Sequence, residues 1–314
     1  MNISQPLSAA PFGTISGSVV PLRPASTVVL LRDGLRETEV FLIRRHGASG
    51  FMAGATVFPG GKVDEADADA PANGRPDAEM AALLNLEDLL CARAFFVAAA
   101  RELHEESHVL LARNADGDLA TAAQIAEIDV QLDSLRSGHR LNSLDYYRVL
   151  QQAGLTLALE LLEPFAHWLT PVAEPRRFDT IFFVAALPPG QQASLDPHEA
   201  TAAAWFTPEQ ALAAHSVSGE IALPPPTWHT IDRLQQALTR NGPLQPASLQ
   251  QYLALGGLGP PIQPHFLAEP PQGPAIVLPE DPWHPEHAHW VGNHGPARKY
   301  RFMLINGRLV PERD

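Results

Sequence analysis

Apolar and polar positions change their period several times along the chain, and each change predicts an element. Ala25 to Leu31 is a continuous β-branched and aliphatic run, and Glu39 to Ile43 is a second, with Asp33-Gly34 in the connection between them. Both predict strands. Ala55 to Phe58 predicts a short third strand, ended by Pro59-Gly60-Gly61. Residues 64–79 are small, acidic and turn-rich, which predicts a solvated, weakly ordered loop. Helical spacing follows from about Met80 through Cys91 to Val109, with a break expected on the way. Two more helical patterns occupy 119–153, separated by Ser137-Gly138. Strands return at Phe178 to Ala186 and near Ala203 to Phe206.

From Leu223 onward prolines crowd the chain: Pro224 to Pro226, Gly256 to Pro261, Pro270-Pro271 and Pro279 to Pro285. Proline removes a backbone donor and blocks helix interiors and central strands. The segment is therefore expected to wrap over a preceding core in extended form, interrupted by one helix around Trp228 to Thr239. Its close, with Asn306-Gly307 between apolar runs, predicts a tight hairpin.

Composition narrows the function. With 45% hydrophobic and 18% charged residues, the chain can bury a sizeable core. Twenty-two basic against 35 acidic side chains give a net charge of −13, which disfavours diffuse attraction to nucleic acid. The single cysteine, Cys91, excludes an internal disulfide and a thiolate zinc site, and is expected to be a buried structural thiol. No apolar run approaches the ~18 residues of a membrane span. The N-terminus has neither the charged nor the apolar region of a signal peptide, and the closing Pro311 to Asp314 is not a peroxisomal address. A soluble, cytoplasmic protein is expected. The glycines at Gly256 to Gly259 follow no strand, so they are not read as a dinucleotide turn, and no Gly-x-Ser-x-Gly elbow is present. His284, His287, His289 and His294 are expected to be surface or interface residues rather than a metal cluster.

The chemistry concentrates in Arg101-Glu102-Leu103-His104-Glu105-Glu106. On a helix, Glu102 lies three residues before Glu105 and four before Glu106, so three carboxylates share one face. Phe96, Ala99, Leu103 and Leu110 form a neighbouring apolar face that can pack on a sheet. Three like charges within about one turn repel unless a cation neutralises them. A solvated acidic stripe is the alternative.

Gly61 upstream, with Arg101-Glu102, Leu103, Glu105-Glu106 and Val109, resembles the Nudix box G-x5-E-x7-R-E-U-x-E-E-x-G-U. The resemblance implies an α/β fold, a Nudix α/β/α sandwich, with helical insertions and a Pro-rich C-terminal extension. It implies Mg²⁺ or Mn²⁺ held by Glu102, Glu105 and Glu106, and an Arg101 that orients a glutamate; carboxylate oxygens suit these cations on physical grounds as well. Two departures stand out. Asp67 occupies the place of the first glutamate and Arg101 follows it much later than seven residues, which leaves one outer metal contact open; and His108 replaces the last glycine. Residues 1–22 read as a tail, 23–222 as the Nudix domain with insertions at about 66–92 and 112–160, and 223–314 as the extension.

The interrupted box, with Pro164 to Pro171, Arg176 to Ala185 and Leu223 to Pro226, is similar to the coenzyme A diphosphatase-like branch of that family. The branch implies cleavage of the diphosphate in CoA or acyl-CoA to 3′,5′-ADP and a phosphopantetheine. Another nucleoside diphosphate derivative (ADP-ribose, a nucleotide sugar, a dinucleotide) or a non-catalytic Nudix-fold binding module are the alternatives. Glu199, ahead of Trp205, Pro208, Ala211 and Leu212, competes with Glu102 as general base. Arg45 leads the candidates for anion recognition, the 3′-phosphate of CoA in particular, with Gly60 and Gly61 beside it and Arg176 and Arg177 in reserve. The expected partner is a small CoA-like molecule, not nucleic acid or membrane, and a homodimer is left open.

Overall fold

Strands whose apolar residues run without alternation need cover on both faces, and the central sheet is built that way. The structure is a computed structural model that describes residues 19–34, 37–47, 52–138, 142–196, 200–242, 245–254, 257–269, 273–294 and 296–314. Strands β1 (Leu22–Asp33) and β2 (Thr38–Arg45) pair antiparallel, and short β3 (Thr56–Val57) and β4 (Gly60–Lys62) add to β2 and β1. Next come β5 (Ala72–Asn73), α1 (Asp77–Leu84), α2 (Leu89–Ser107), β6 (Ala112–Arg113), α3 (Ala122–Gly138), α4 (Ser143–Gln152) and β7 (Thr156–Ala158). The sheet is completed by β8 (Glu163–Leu169), β9 (Arg177–Ala186) and β10 (Ala200–Phe206), in the order β10-β2-β1-β9-β8. At its centre β1 runs parallel to β9, from Leu22 opposite Arg177 to Leu31 opposite Ala186.

Alternate residues of the same strands feed two cores. Val28, Leu30, Phe41 and Ile43 pack with Phe96, Ala99 and Leu103 of α2. Val29, Leu31, Val40 and Leu42 pack on the other face with Trp228, Ile231 and Leu234. Each fully buried side chain of that size contributes on the order of 2 kcal/mol. The result is the expected α/β/α sandwich.

After α5 (Pro208–Ala213) comes α6 (Pro225–Asn241), which is the second helical layer itself. The sandwich therefore continues past residue 222, where a boundary was expected. Pro225 and Pro226 fit because the first turn of a helix has no internal partner for their missing N–H groups. Beyond α7 (Pro246–Ala254), the chain is more regular than an extended wrap. Strands β11 (His265–Leu267) and β12 (Ala275–Val277), helix α8 (His287–His294), and strands β13 (Tyr300–Ile305) and β14 (Arg308–Arg313) follow. The four strands make an antiparallel sheet in chain order, and Pro311 is accommodated on its edge strand. Asn306 and Gly307 both take positive φ, 51° and 76°, in the predicted hairpin turn. Buried Asp281 accepts from Arg301 Nε and Nη2, both at 2.8 Å, and the Tyr300 hydroxyl donates to Asp232 Oδ2 of α6 at 2.8 Å. The first pair of bonds ties β13 to the segment after β12, and the Tyr300–Asp232 bond docks the small sheet on the sandwich.

Candidate active site

Helix α2 carries the acidic residues and is fixed at both ends. The Asp88 side chain caps its start by accepting from the N–H groups of Leu90 and Cys91. The break expected between Met80 and Val109 falls at Asn85, which ends α1 in the left-handed region. Arg101, only 4% exposed, is the centre of the site. Its Nε and Nη2 donate to the two oxygens of Asp67 at 3.0 and 3.1 Å, Nη1 donates to Glu102 Oε1 at 2.7 Å and Glu105 Oε2 at 3.0 Å, and Nη2 reaches the Lys62 carbonyl at 2.9 Å. Burial alone would lower its pKa, but the surrounding carboxylates of Glu102, Asp67 and Glu105 reverse this and hold it well above the usual arginine range.

The strand-ending glycines meet this helix directly. Glu106, 7% exposed, accepts from the Gly60 N–H at 2.7 Å. A Cβ at Gly61 would collide with the Glu102 carboxylate, and one at Gly60 with the backbone of Ser26 and Thr27. Glycine is required here for close approach rather than for an unusual φ.

The stretch expected to be a solvated loop contains the most deeply buried acid of the site. Residues Glu65–Asp69 form a 3-10 turn against α2, and Asp67 is fully buried within it. Acidic composition suggested solvation, but the Arg101 guanidinium supplies the partner that makes burial possible. Asp67 thus stands where the first glutamate of the box falls, gripping the arginine through two parallel bonds.

The second departure is also compensated. His108 ends α2 with φ 55° and ψ 20°, the left-handed conformation a glycine would adopt freely. Its Nδ1 lies 2.9 Å from Asp129 Oδ2 on α3, and Asp129 Oδ1 lies 3.2 Å from Nε2 of buried His104. The hydrogen bond to Asp129 raises the pKa of His108 despite partial burial. From α4, the Tyr147 hydroxyl donates to Asp67 and Ser143 Oγ donates to Asp64 Oδ2 at 2.8 Å. The second insertion therefore braces the interrupted box at three points, Asp129, Ser143 and Tyr147. Sequence reasoning missed all three, and no spacing within 112–160 could have marked them.

A cleft of about 190 Å³ opens on the α6 face of the sheet and reaches Gly60. Arg45 lines it, and among the described residues the buried Arg45 Nε has no hydrogen-bond partner. The reserve arginines lie elsewhere. Arg176 is exposed on the turn before β9, and Arg177, 6% exposed, donates to the carbonyls of Thr170 and Val20. Arg177 is held by the fold rather than offered to a ligand. Glu199 lies outside the described residues. Cys91 is half-buried on α2, and burial pushes its thiol up. Of the four C-terminal histidines, His284 bonds the Gln263 carbonyl and His287, His289 and His294 lie along α8.

Among the described residues, no three His, Cys, Asp or Glu side chains converge as a closed metal cage. The donor set still fits Mg²⁺ or Mn²⁺. Mg²⁺ keeps most of its water and is commonly held by one or two carboxylates plus substrate phosphate, so an open arrangement is expected. Three glutamates on one helix face, half turned toward Arg101, provide hard oxygen and no soft ligand.

A sheet covered by helices on both faces, with glycines passed directly to an arginine-centred acidic helix, defines the Nudix class of fold. The chain belongs to the NUDT19 Nudix domain family, which matches residues 70–234, just over half of its 314 residues. Relatives include the acyl-coenzyme A diphosphatase NUDT19 of Homo sapiens, 30% identical over 225 residues, and that of Xenopus laevis, 27% identical over 233. These alignments cover 62% and 65% of this chain, and they span only 60% and 61% of the relatives' own length. Among solved structures, a Nudix hydrolase from Alicyclobacillus acidocaldarius matches with a TM-score of 0.53 and 27% identity, covering 76% of this chain and 99% of that one.

Proposed function

We propose that the protein hydrolyses the diphosphate linkage of CoA or acyl-CoA, giving 3′,5′-ADP and an (acyl-)phosphopantetheine. The observation that carries this reading is the Arg101 network, which holds Glu102 and Glu105 on one helix face and Asp67 behind it, beside Glu106 bonded to Gly60. Like charges at this spacing are costly without a cation, and Arg101 offsets only part of them. Glu102, Glu105 and Glu106 would hold Mg²⁺ or Mn²⁺, which supplies charge neutralisation at the diphosphate and lowers the pKa of a bound water. The protein's own contribution is positional. Arg101 fixes the carboxylate rotamers, Gly60 and Gly61 admit substrate close to the helix, and Arg45 offers its guanidinium to a diphosphate oxygen. The diphosphatase relatives support the CoA-type substrate.

The test is a substrate panel of CoA, acyl-CoA, ADP-ribose and a nucleotide sugar with Mg²⁺ or Mn²⁺, resolving the phosphate-ester products. CoA turnover abolished by EDTA and restored by metal is expected. A preference for ADP-ribose over CoA would overturn the substrate class, and full activity in EDTA would overturn the metal. Glu102→Gln separates two roles: a lost base lowers kcat alone, whereas a lost ligand also weakens metal binding.

A further inference from the structure

The cleft on the α6 face has a chemistry unlike that of the acidic helix. Its walls are largely apolar, with Phe58, Phe182, Ile276 and the Pro224–Pro226 run. Charged groups are few, although Thr27, Thr170, Thr180 and Thr227 also line it. Arg45 is the only basic side chain among the described residues lining it, and Glu174, on the turn after β8, is its acid. Trp168 lines it as well, is 3% exposed, and among the described residues its Nε1 has no hydrogen-bond partner. A buried donor left unmade costs on the order of 1–3 kcal/mol, so a ligand acceptor that reached the indole N–H would recover that cost. The ring is held in place, edge-on to His229 at 5.3 Å and tilted against Phe182.

Gly60 belongs to both regions. It lines the cleft, while its N–H donates to Glu106. A diphosphate at the acidic helix would therefore send one of its two substituents into the cleft. On the reading above, these are a 3′-phosphorylated nucleoside and a pantetheine chain. The nucleoside carries a second phosphate of about two negative charges, and a single arginine in a largely apolar cleft that also holds Glu174 cannot neutralise it. The pantetheine chain is uncharged, largely aliphatic and carries two amides.

We propose that this cleft is the subsite for the amide-bearing, pantetheine side of the substrate, with Trp168 Nε1 donating to an amide carbonyl, Glu174 accepting an amide N–H, and Ile276 of the C-terminal sheet closing the wall. The assignment rests on the CoA-type reading of the site. Burial, which pushes the Glu174 carboxyl above its ordinary value, is consistent with a neutral ligand. The proposal gives Ile276 of the small sheet a role in specificity.

Calorimetric binding of the two expected products, 4′-phosphopantetheine and 3′,5′-ADP, tests it without relying on turnover. In the full-length protein with Mg²⁺, Trp168→Phe is expected to weaken 4′-phosphopantetheine by about fivefold to tenfold, the worth of one hydrogen bond, and to leave 3′,5′-ADP within about twofold. Because Trp168 sits in the core, Ile276→Trp provides a second probe: it narrows the cleft from the small sheet and is expected to give the same asymmetry. Equal weakening of both products, weakening of 3′,5′-ADP alone, or no binding of 4′-phosphopantetheine by the wild type would overturn the subsite. Failure of the wild type to cleave CoA while the binding asymmetry persists would instead overturn the catalytic reading.

Discussion

The acidic helix and the cleft share Gly60 but are built on opposite principles. Around Arg101 the bonds chiefly close a charge on a charge, Asp67 on two nitrogens and Glu102 and Glu105 on a third, while the Tyr147 hydroxyl and the Lys62 carbonyl add neutral partners. Around Trp168 the surroundings are apolar, and two buried donors, Trp168 Nε1 and Arg45 Nε, lack partners among the described residues. A buried network that satisfies itself holds the fold and fixes the rotamers of the glutamates it touches. Donors left unmade beside a cavity leave hydrogen bonds for a ligand in it to complete. The difference separates residues that position the site from residues that meet the substrate.

The hardest blow to the closed side is loss of its cation. Arg101→Met removes the partner of a fully buried Asp67 and is expected to destabilise the protein by about 3–5 kcal/mol, read by urea denaturation. Arg101→Met combined with Asp67→Leu should recover part of that loss, because no unpaired charge remains. A single mutant within 1 kcal/mol of the wild type, a bound set by ordinary surface substitutions of roughly ±0.5 kcal/mol, would mean that the network does not carry the fold.

Next in size is a change that leaves the fold intact. Glu106→Gln keeps an oxygen to accept the Gly60 N–H but removes the charge. It is expected to lower kcat/KM at least ~100-fold, or about 2.7 kcal/mol, with little change in Tm. Near-wild-type turnover would remove Glu106 from the metal site.

These two regions were unequally legible in the sequence. The glutamates and Arg101 could be placed because helical spacing fixes their faces over six consecutive residues. Asp67 could be aligned with the box from Gly61, but its burial could not be foreseen, because its partner lies 34 residues on and its neighbours are acidic. Tyr147 is 80 residues from Asp67 and is brought there only by the packing of α4. The cleft was not visible at all. Its walls come from β1, β8, β9, the start of α6 and the small C-terminal sheet, and no local period links them. Proline content misled for a related reason: prolines at a helix start and on an edge strand are compatible with regular structure, but position in the fold is what makes them so.

Arg45 lies on the border between the two regions and sharpens the comparison. Because it lines the cleft that also reaches Gly60, its guanidinium is expected to serve the diphosphate rather than a 3′-phosphate. Arg45→Ala should cost roughly 1.5–3 kcal/mol in kcat/KM, the worth of a charged hydrogen bond, equally on CoA and on 3′-dephospho-CoA. A loss confined to CoA would move Arg45 to the 3′-phosphate and place the nucleoside, not the pantetheine, near the cleft.

The smallest expected effect lies at the far end of the acidic helix, where His108 and Asp129 join it to α3. His108 is 28% and Asp129 24% exposed, so solvent screens their attraction and its worth is at most about 1 kcal/mol. The sign with pH follows from the two shifts. The Asp129 hydrogen bond raises the pKa of His108, with Asp196 and Asp133 adding to it, so stability from the charged imidazole is present below the ordinary histidine value and is lost as pH rises through the raised one. Desolvation would raise the pKa of Asp129, but its bonds to His104 and His108 outweigh this and lower it, so its share is present above the ordinary carboxylate value and is lost only in strong acid. Asp129→Asn should therefore reduce Tm more at pH 6 than at pH 9, and the difference should shrink in 1 M salt. Equal losses at the two pH values would make the contact a neutral hydrogen bond, and the charge pairing described along this helix would then end at Glu105.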